Sequence, residues 1–428
     1  MLDLKFVRAN PDAVKADLKR RGMGGKEALL ERLLALDKKI VRLSYQSEQF
    51  KKKRNTLTET ISKAASKKEA KAKISLAKAV SKKIAALDAK AEKLRLQARP
   101  MLLSLPNLLE KDVPLGKDSS ENKVIRRWGK TEVPSFKMHP HGEFLQNAGL
   151  VDFERAAKTS GRGFYFLIGE LALLDSALVQ YSLSHLLKKG FTPIKPPFFM
   201  NRAPYEGVTA LEDFEKVMYK IEGVDTYLIA TSEHPLCAMH AGEILEERSL
   251  PLKYAGISPC FRREIGAHGV DTRGLFRVHQ FNKVEQFVFC KPEESAKLLD
   301  ELLKNAEELL QGLRIPCRVV DVCTGDIGTV AARKYDIEAW FPREQNYAEV
   351  VSASNCTSYQ AVRSNIKFRT AQGKEFVHTL NSTALATSRT IRAIVENFQT
   401  EKGTVKIPDA LLPFMHGIDE IKPRKGAK

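Results

Sequence analysis

The feature of the sequence that most limits its possible folds is a pair of heptad patterns in the first hundred residues. The first pattern starts at Leu29 and repeats in steps of four and three residues as far as Ile61. The second pattern runs from Ala77 to Met101 and includes Ser81. Residues with this spacing lie along one face of an α-helix and form the seam of a coiled coil. We therefore predict two long helices that pack against each other.

The segment between the two patterns predicts how the helices are joined. Residues 62–73, SKAASKKEAKAK, are small or polar and lack an apolar stripe. We place a turn near residues 64–72, which makes the prediction an antiparallel helical hairpin over about residues 27–101. At a rise of ~1.5 Å per residue, each arm of the hairpin is about 45 Å long.

Charge is distributed unevenly along the chain. The whole sequence of 428 residues has a formal net charge of +18. Residues 1–100 contain 27 lysine and arginine residues against 11 aspartate and glutamate residues. Nearly all the excess positive charge therefore belongs to the hairpin region, and a basic arm of this kind is typical of proteins that bind nucleic acid.

Lysines crowd residues 63–83, at the tip of the predicted hairpin and the start of its second helix, where Glu69 is the one acidic residue. A solvated helical face is one interpretation of this pattern, and the confined charge favours contact with phosphates instead. Lysines without interleaved aromatic residues suit contact with a nucleic-acid backbone, and double-stranded RNA fits them better than single-stranded RNA. The candidate contacts are Lys63, Lys67, Lys68, Lys71, Lys73, Lys78, Lys82 and Lys83.

The overall composition is that of an ordinary globular protein of two or three domains, with 43% hydrophobic and 29% charged residues. No apolar run approaches the roughly 18 residues that a membrane helix needs, and the N-terminal residues contain no apolar signal core. The 6 cysteines are never spaced as CxxC and lie mostly in apolar runs. We expect buried free thiols in a reducing cytoplasm, and no zinc site.

A second informative stretch contains YAGISPCFRRE and LFRVHQFNKVEQFVF, which have the alternation of β-strands and are joined by the loop IGAHGVDTRG. One face of this hairpin would carry Arg262 and Glu264 from the first strand and Arg277, His279, Phe281, Lys283 and Glu285 from the second. The other face would carry Phe276, Val278 and Val284. A salt-bridged solvent face is one interpretation. The other is a site for an anionic, planar ligand, because arginines fork onto phosphate oxygens and an aromatic ring stacks on a purine.

The usual nucleotide-binding signatures do not accompany this hairpin. The sequence has no GxxxxGK[ST], and GRGFYF at residues 161–166 lacks the third glycine of GxGxxG. If ATP binds, arginines on antiparallel strands must hold it.

Two later stretches supply further polar groups. YAEVVSASNC (347–356) places Glu349 and Ser352 three residues apart at the end of a strand, and their oxygens suit Mg²⁺. LNSTALATSRTIRAIVENFQ (380–399) begins with hydroxyl residues and continues as an amphipathic helix. Arg389 lies near the start of that helix, where phosphate is favoured, although a lone arginine there is more often structural.

Together these stretches resemble the seryl-tRNA synthetase family of class II aminoacyl-tRNA synthetases, and the resemblance covers essentially the whole chain. GFTPIKPPFFM, within about residues 180–200, is similar to class II motif 1. The hairpin at about 254–290 is similar to motif 2, and about 380–399 to motif 3. TSE at 231–233, EVVS at 349–352 and the basic hairpin belong to the same pattern.

The resemblance implies an α+β fold, with a class II catalytic domain of antiparallel β-sheet and surrounding helices after the N-terminal coiled-coil hairpin. The tRNA-binding arm would span residues 1–112 and the catalytic domain 113–428. The implied enzyme is a cytoplasmic, homodimeric serine–tRNA ligase that uses ATP to activate L-serine as seryl-adenylate. It would transfer serine to the 3′ end of tRNA(Ser), whose long variable arm the hairpin would grip, and tRNA(Sec) is a further candidate substrate.

The resemblance also implies a role for each residue of the site. The catalytic candidates are Arg262, for the α-phosphate and the serine carboxylate, and Arg389, for the γ-phosphate. The ATP-binding candidates are Arg262, Arg263, Glu264, Arg277, Val278, Phe281, Glu349, Val350, Val351, Ser352 and Arg389. The serine-binding candidates are Thr231, Ser232, Glu233, Arg262, Glu285, Asn381 and Thr383. The Mg²⁺ candidates are Glu349 and Ser352.

Within these sets the implied contacts are specific. Phe281 would stack on adenine and Glu264 would contact its edge. Glu285 would bind the serine hydroxyl, and Thr231 and Glu233 the ammonium group. The lysines of the arm are the tRNA-binding candidates, and the loop 265–274 would approach the acceptor end of the tRNA.

Three positions depart from the commonest family pattern. TSE stands where TAE is common, Thr383 where serine is frequent, and Ser388 where glycine is frequent. These departures resemble the archaeal-type variant of the family. A zinc-dependent subtype also exists, but TSE and the lack of an obvious ligand set argue against it, so the expected cofactor is Mg²⁺ with ATP.

The sequence is also compatible with two other functions. An amino acid:carrier protein ligase would keep the catalytic core but would need no long basic hairpin. A catalytically inactive tRNA-binding homologue would keep the hairpin but would need no intact site. Binding of ATP separates the inactive homologue from the two enzymes.

Overall fold

The computed structural model describes residues 1–62, 66–209, 217–264 and 274–424. The chain forms two compact units, Met1–Pro106 and Asn107–Lys428. The first unit therefore ends slightly before residue 112, where the sequence places the domain boundary. None of the described helices is both long and apolar enough to cross a lipid bilayer.

The α-helices and β-strands of the described residues are as follows. The helices are α1 Leu4–Ala9, α2 Pro11–Arg20, α3 Glu27–Ser62, α4 Lys67–Leu103, α5 His141–Asn147, α6 Phe153–Ser160, α7 Glu170–Lys188, α8 Arg202–Val208, α9 Glu233–Ala238, α10 Ser295–Gly312, α11 Tyr359–Ser364 and α12 Thr387–Phe398. The strands are β1 Lys123–Trp128, β2 Val151–Asp152, β3 Phe166–Leu167, β4 Thr192–Ile194, β5 Phe199–Asn201, β6 Thr226–Leu228, β7 Ile244–Glu246, β8 Leu252–Phe261, β9 Gln280–Cys290, β10 Cys317–Asp321, β11 Arg333–Phe341, β12 Asn346–Asn355, β13 Lys367–Thr370, β14 Gly373–Phe376, β15 His378–Ala386, β16 Val405–Lys406 and β17 Glu420–Ile421.

The first unit contains the predicted helical hairpin, which is confirmed. Helix α4 begins at Lys67, however, so most of the segment 64–72 that the sequence assigned to the turn is helical. Helices α3 and α4 run antiparallel, since the Ser47 hydroxyl donates to Asp88 Oδ1 at 2.6 Å and Lys26 Nζ donates to the Ser104 carbonyl at 2.6 Å. Ser66 caps α4 by accepting a hydrogen bond from the backbone N–H of Glu69 at 3.2 Å. This cap satisfies one of the free N–H groups at the helix start and favours a new helix there.

The seam of the hairpin follows the predicted heptads, with shifts of one residue in each helix. Leu30 is fully buried and Leu29 only partly, so the seam of α3 begins one residue later than predicted. In α4, Val80 is buried and Ser81 is exposed. Val80 keeps the spacing to Ile84 that the heptad requires and buries an apolar side chain, whereas a buried serine would need a hydrogen-bond partner.

The second unit is built on a sheet of eight strands in the order β1-β10-β11-β12-β15-β9-β8-β4. All neighbours in it are antiparallel except β4 and β8, which are parallel. Apolar residues of α7, α10 and α12 pack with those of the sheet in one core. The α+β class and the antiparallel sheet with surrounding helices are therefore confirmed. Strand β4, which contains part of the motif 1 stretch, lies at the edge of the sheet.

Two bulges interrupt the regular pairing in the middle of the sheet. On β12, Glu349 pairs with Glu338 and Val351 with Ile337, which leaves Val350 as an extra residue. On β15 a similar shift falls between Thr383 and Leu385. An extra residue reverses the alternation of side chains beyond it. The first bulge therefore lets Glu349 and Ser352 face the same side, although residues three apart in a regular strand face opposite sides.

Candidate active site

Most of the predicted site residues line one cavity of about 640 Å³ in the second unit. The predicted residues on its wall are Thr231, Glu233, Arg262, Glu264, Val278, Phe281, Glu285, Glu349, Val350, Ser352, Asn381, Thr383 and Arg389. The predicted residues that are not on its wall are Ser232, Arg263, Arg277 and Val351. Strands β8, β9, β12 and β15 together with helices α9 and α12 thus bring separate parts of the sequence to one place.

One end of the cavity is formed where β8, β9 and β15 lie side by side. The strand register places Glu285 opposite Thr383 on one neighbour and opposite Gly256 on the other. The side chain of Glu285 is 2% exposed. A carboxylate beside a hydroxyl in so dry a site can recognise a small ligand with a hydroxyl group, because an unpaired polar group would be costly here.

Gly256 allows the TSE segment to approach the sheet at this end. A Cβ on Gly256 would lie 2.6 Å from Ser232 Oγ and 2.7 Å from Leu236 Cδ1. Ser232 is fully buried, and its hydroxyl is 3.4 Å from the Gly256 carbonyl oxygen. Its side chain therefore packs the start of α9 onto β8, while the residues on either side of it line the cavity.

Glu233 begins α9 and is held by hydrogen bonds. Its backbone N–H donates to Thr231 Oγ1 at 3.2 Å, and its carboxylate Oε1 accepts from Gln360 Nε2 at 2.9 Å. Gln360 is itself fixed, since the Thr379 hydroxyl donates to its Oε1 at 2.6 Å. Burial, and then the charge of Glu285, raise the pKa of Glu233 to about 7. The binding of a ligand ammonium group would favour the ionised carboxylate.

Lys283 and Gln360 also line this end of the cavity, and neither was assigned a role from the sequence. Lys283 is buried and forms an ion pair with Glu285. The alternation of β9 puts Lys283 on the same face as Glu285, and this pattern in the sequence could have identified Lys283 as a site residue. Gln360 lies on α11, and no local pattern marks it, because only the tertiary fold brings it to Glu233.

The middle of the cavity has the groups that a planar ligand requires. The Arg262 guanidinium carbon lies 5.4 Å from the centre of the Phe281 ring, and Arg262 Nε donates to the Ala230 carbonyl at 3.3 Å. Glu264, which has a positive φ of 43°, also lines the wall, and its Oε2 lies 3.7 Å from Arg277 Nη1. The ring of Phe281 and the carboxylate of Glu264 can therefore contact a purine from its face and its edge.

The predicted alternation of the second motif 2 strand is wrong before Gln280. Strand β9 begins at Gln280, and residues 274–279 form an irregular segment that belongs to no strand. Val278 and Phe281 consequently both line the cavity, whereas Arg277 and His279 do not. His279 instead stacks on Phe164, with ring centres 5.1 Å apart. The contacts of this segment with residues outside the hairpin override the period-2 pattern that its residues show in sequence.

The far end of the cavity contains Arg389, the third residue of α12. Arg389 Nη1 donates to the Glu349 carbonyl at 2.7 Å and lies 3.2 Å from Glu349 Oε1. Partial loss of water around the carboxylate would raise the pKa of Glu349, whose side chain is still 48% exposed, but Arg389 and Lys334 outweigh this effect and lower the pKa. A guanidinium at a helix start, 23% exposed and open to the cavity, is suited to a phosphate group.

The oxygens at this end fit a hard cation such as Mg²⁺. The bulge at Val350 places the Glu349 carboxylate and the Ser352 hydroxyl together on the cavity wall. Ser352 pairs across the sheet with Asp336, whose buried Oδ1 has no hydrogen-bond partner among the described residues. Burial raises the pKa of Asp336 to about 7, against the effect of Lys334. Carboxylate and hydroxyl oxygens are the ligands that Mg²⁺ prefers.

The candidate lysines of the arm can be placed separately, because they belong to the first unit. Lys63 lies outside the described residues, and so do residues 265–273 of the loop between the motif 2 strands. Six of the lysines on α4 are exposed, namely Lys67, Lys68, Lys71, Lys78, Lys82 and Lys83. Lys73 is partly buried and pairs with Glu69 at 2.6 Å. The Lys83 ammonium lies 5.2 Å from the centre of the Phe50 ring.

The cysteines match the prediction made from the sequence. All six are buried and free of disulfide bonds. In the described parts of the chain, no three histidine, cysteine or acidic side chains are close enough together to share one metal ion.

Comparison with known proteins identifies first the class and then the family. Residues 217–398 match the model of the tRNA synthetase class II core domain (G, H, P, S and T), which agrees with the antiparallel sheet and its cavity. The protein is thus a class II aminoacyl-tRNA synthetase. Residues 1–109 match the model of the seryl-tRNA synthetase N-terminal domain. The chain belongs to the seryl-tRNA synthetase family.

Full-length relatives support this assignment. The chain is 53% identical over 425 residues to a serine–tRNA ligase of Methanocella arvoryzae, which covers 98% of this chain and 100% of the relative. The crystal structure of the seryl-tRNA synthetase from Pyrococcus horikoshii complexed with ATP has a TM-score of 0.92 and 45% identity, covering 99% of this chain and 100% of that one. The cytoplasmic serine–tRNA ligase of Naegleria fowleri in complex with AMP has a TM-score of 0.85 and 35% identity, covering 97% and 96%.

Proposed function

We propose that this protein is a serine–tRNA ligase, which forms seryl-adenylate from L-serine and ATP and transfers serine to the 3′ end of tRNA(Ser). The observation that carries the proposal is a single cavity that is lined by acidic side chains in one part and by arginines in another. The partly buried carboxylate of Glu233 and the buried carboxylate of Glu285 lie at one end of the cavity. Arg262 lies in the middle and Arg389 at the far end. The ammonium group of an amino acid needs the carboxylates, and a nucleoside triphosphate needs the arginines, so one cavity can bind both ligands side by side.

Serine binds with its ammonium group at Glu233 and Thr231 and its hydroxyl at Glu285 and Thr383. Alanine cannot pair with the hydroxyl-binding groups, so it would leave buried polar atoms without partners. Asn381 lies two residues before Thr383 on β15 and lines the same end. Lys283 orients the Glu285 carboxylate through their ion pair.

ATP binds with its adenine ring on Phe281 and the adenine edge at Glu264. Arg262 holds the α-phosphate together with the serine carboxylate, and Arg389 holds the γ-phosphate. The residues that would hold Mg²⁺ are Glu349 and Ser352. The ion, when bound, would neutralise phosphate charge and so favour departure of pyrophosphate.

The chemistry follows from this placement. The serine carboxylate oxygen attacks the α-phosphorus, the bond to the β-phosphate oxygen breaks, and pyrophosphate leaves with the bonding electron pair. The terminal ribose hydroxyl of the tRNA then attacks the acyl carbon of seryl-adenylate, and AMP leaves. No activated side-chain nucleophile is needed, because positioning of the reactants and stabilisation of the phosphate charge supply most of the catalysis.

The arm is the tRNA-binding part of this proposal. Its exposed lysines on α4 would contact the backbone of the long variable arm of tRNA(Ser), and tRNA(Sec) is a candidate for the same contacts. The enzyme would act in the cytoplasm as a homodimer. The motif 1 region supports the dimer, because β4 is the last strand at one edge of the sheet and the nearby Phe199 is 57% exposed.

Charging of tRNA(Ser) with radiolabelled serine tests the proposal, beside serine-dependent exchange of pyrophosphate into ATP. We expect activity in both assays, with alanine and threonine far weaker than serine in the exchange assay. Exchange with serine but no charging of any tRNA would instead support an amino acid:carrier protein ligase. The absence of ATP binding would support an inactive homologue.

A further inference from the structure

The Arg389 guanidinium rests on an aromatic ring that the function above does not explain. The guanidinium carbon of Arg389 lies 4.9 Å from the centre of the Phe276 ring, and that of Arg392, one turn further along α12, lies 4.6 Å from the same centre. Phe276 lines the cavity and meets Phe341 edge to face, with ring centres 5.9 Å apart. The position of this ring therefore limits where Arg389 can point.

The backbone that carries Phe276 is tied to His141, the first residue of α5. The backbone N–H of Leu275 donates to His141 Nε2 at 3.0 Å, and His141 is 4% exposed. Residues 274–279 belong to no strand, so this N–H has no strand partner to replace His141. Loss of the acceptor would leave a buried N–H unpaired immediately before Phe276.

Two glycines allow this approach. A Cβ on Gly274, which has a φ of +88°, would lie 2.4 Å from His141 Nε2. A Cβ on Gly142 would lie 3.0 Å from Gly274 Cα. The two segments are in close contact because neither of these positions has a side chain.

A second route connects His141 to the same ring. His141 Nδ1 lies 3.5 Å from Glu396 Oε1, which accepts from Arg392 Nε at 2.9 Å. Arg392 in turn lies over Phe276 and is 1% exposed. His141 is therefore connected to Phe276 in two ways. One connection passes through the backbone of Leu275, and the other passes through Glu396 and Arg392.

The contacts also define the protonation state of His141. Nε2 accepts a hydrogen bond and therefore carries no proton, so the proton of the neutral ring is on Nδ1, facing Glu396. Burial lowers the pKa of His141, against the effect of Glu396, which agrees with a neutral ring.

We propose that His141 is a positioning residue for ATP binding, which fixes Phe276 and thereby directs the Arg389 guanidinium at the outermost phosphate of ATP. The proposal rests on the function above only in assigning the γ-phosphate to Arg389. It concerns nucleotide recognition and is independent of the amino acid and the tRNA.

The test compares binding of ATP and AMP to the full-length protein by isothermal titration calorimetry. AMP lacks the γ-phosphate, so a misdirected Arg389 affects ATP alone. We expect His141→Leu, which removes the acceptor, to weaken ATP binding about tenfold, in line with the loss of one buried hydrogen bond. AMP binding and the KM for serine should stay within about twofold, a change of under 0.5 kcal/mol.

Two further variants make the result specific. His141→Gln can place an amide oxygen near the position of Nε2, and we expect it to recover most of the ATP affinity. His185→Leu is the matched control, because His185 also lies beside a glutamate, with Nε2 3.3 Å from Glu308 Oε2, but does not line the cavity. It should bind both nucleotides as the unaltered protein does.

Equal weakening of ATP and AMP in His141→Leu, or no weakening of either, would overturn the proposal. If His141→Leu does not fold, Phe276→Leu replaces it, because it keeps apolar volume but removes the ring, and the same selective loss of ATP affinity is expected. Failure of the serine–tRNA ligase function would be seen separately, as absent serine-dependent exchange by the unaltered protein.

Discussion

The two carboxylates at one end of the cavity, Glu233 and Glu285, have different surroundings. Glu285 has a cation beside it, Lys283, whereas Glu233 is held by the neutral amide of Gln360. Burial and the charge of Glu285 raise the pKa of Glu233 to about 7. The ammonium group of serine binds the ionised form, so protonation of Glu233 competes with substrate.

This competition predicts a pH dependence for serine binding. Because the raised pKa puts protonation within the working range, the KM for serine in pyrophosphate exchange should rise about tenfold between about pH 8 and about pH 6. Glu233→Gln cannot ionise, so its KM should be higher than that of the unaltered protein and nearly constant over the same range. A KM for the unaltered protein that does not change with pH would contradict the assignment of Glu233 to the ammonium group.

Arg389 supports a second prediction at this scale. We expect Arg389→Ala to slow serine-dependent pyrophosphate exchange about 10²- to 10³-fold, because a preorganised cation at the phosphates is lost. Circular dichroism should show a folded protein. Arg314→Ala is the control, since Arg314 is 73% exposed and pairs with Asp409 on the surface. Near-normal exchange by Arg389→Ala would remove Arg389 from the catalytic site.

Helix α4 is the element on which the proposed tRNA contacts depend. Its lysines near the tip are exposed along a helix whose other face packs on α3. Point charges on a rigid helix can follow the phosphates of a double-stranded RNA without reading its bases. Contacts of this kind depend on salt, because each neutralised phosphate releases counterions.

Replacing four tip lysines, Lys67, Lys68, Lys71 and Lys78, by glutamine should raise the KM for tRNA by at least about tenfold and make its salt dependence shallower. Serine-dependent exchange should be unchanged, because the cavity belongs to the other unit. The matched control removes the same charge from exposed lysines near the base of the hairpin, Lys38, Lys39, Lys90 and Lys93. Equal effects of the two sets would mean that net charge alone, and not the tip, attracts tRNA.

The whole molecule divides its tasks between two units. The first unit has nearly all the excess positive charge, and the second contains the cavity. Residues 107–428 have their own sheet and core, so they can be expected to fold alone.

We predict that the fragment 107–428 keeps serine-dependent exchange within about threefold and charges tRNA(Ser) at least about 100-fold more slowly than the full chain, because the residues that attract tRNA are missing. Both rates are measured with radiolabelled substrates at equal enzyme concentration. A fragment that is folded but cannot activate serine would show that the arm also contributes to the first step.

Several features of the protein were determined by the sequence itself. The heptads predicted α3 and α4, because each apolar position is defined by neighbours three or four residues away. The location of the charge and the order of the three motifs were likewise read without any structure. Even here the seam contains Val80 and not the predicted Ser81, because packing against the partner helix decided which of the two adjacent residues is buried.

Only the tertiary structure decided the detailed wall of the cavity. The bulge at Val350, the irregular segment before Gln280 and the approach of Gln360 to Glu233 have no local signal in the sequence. The same is true of His141, which lies more than a hundred residues from the segment that it holds. The physical reason is that periodicity is set by contiguous residues, whereas strand register, bulges and buried hydrogen bonds depend on packing between segments distant in sequence.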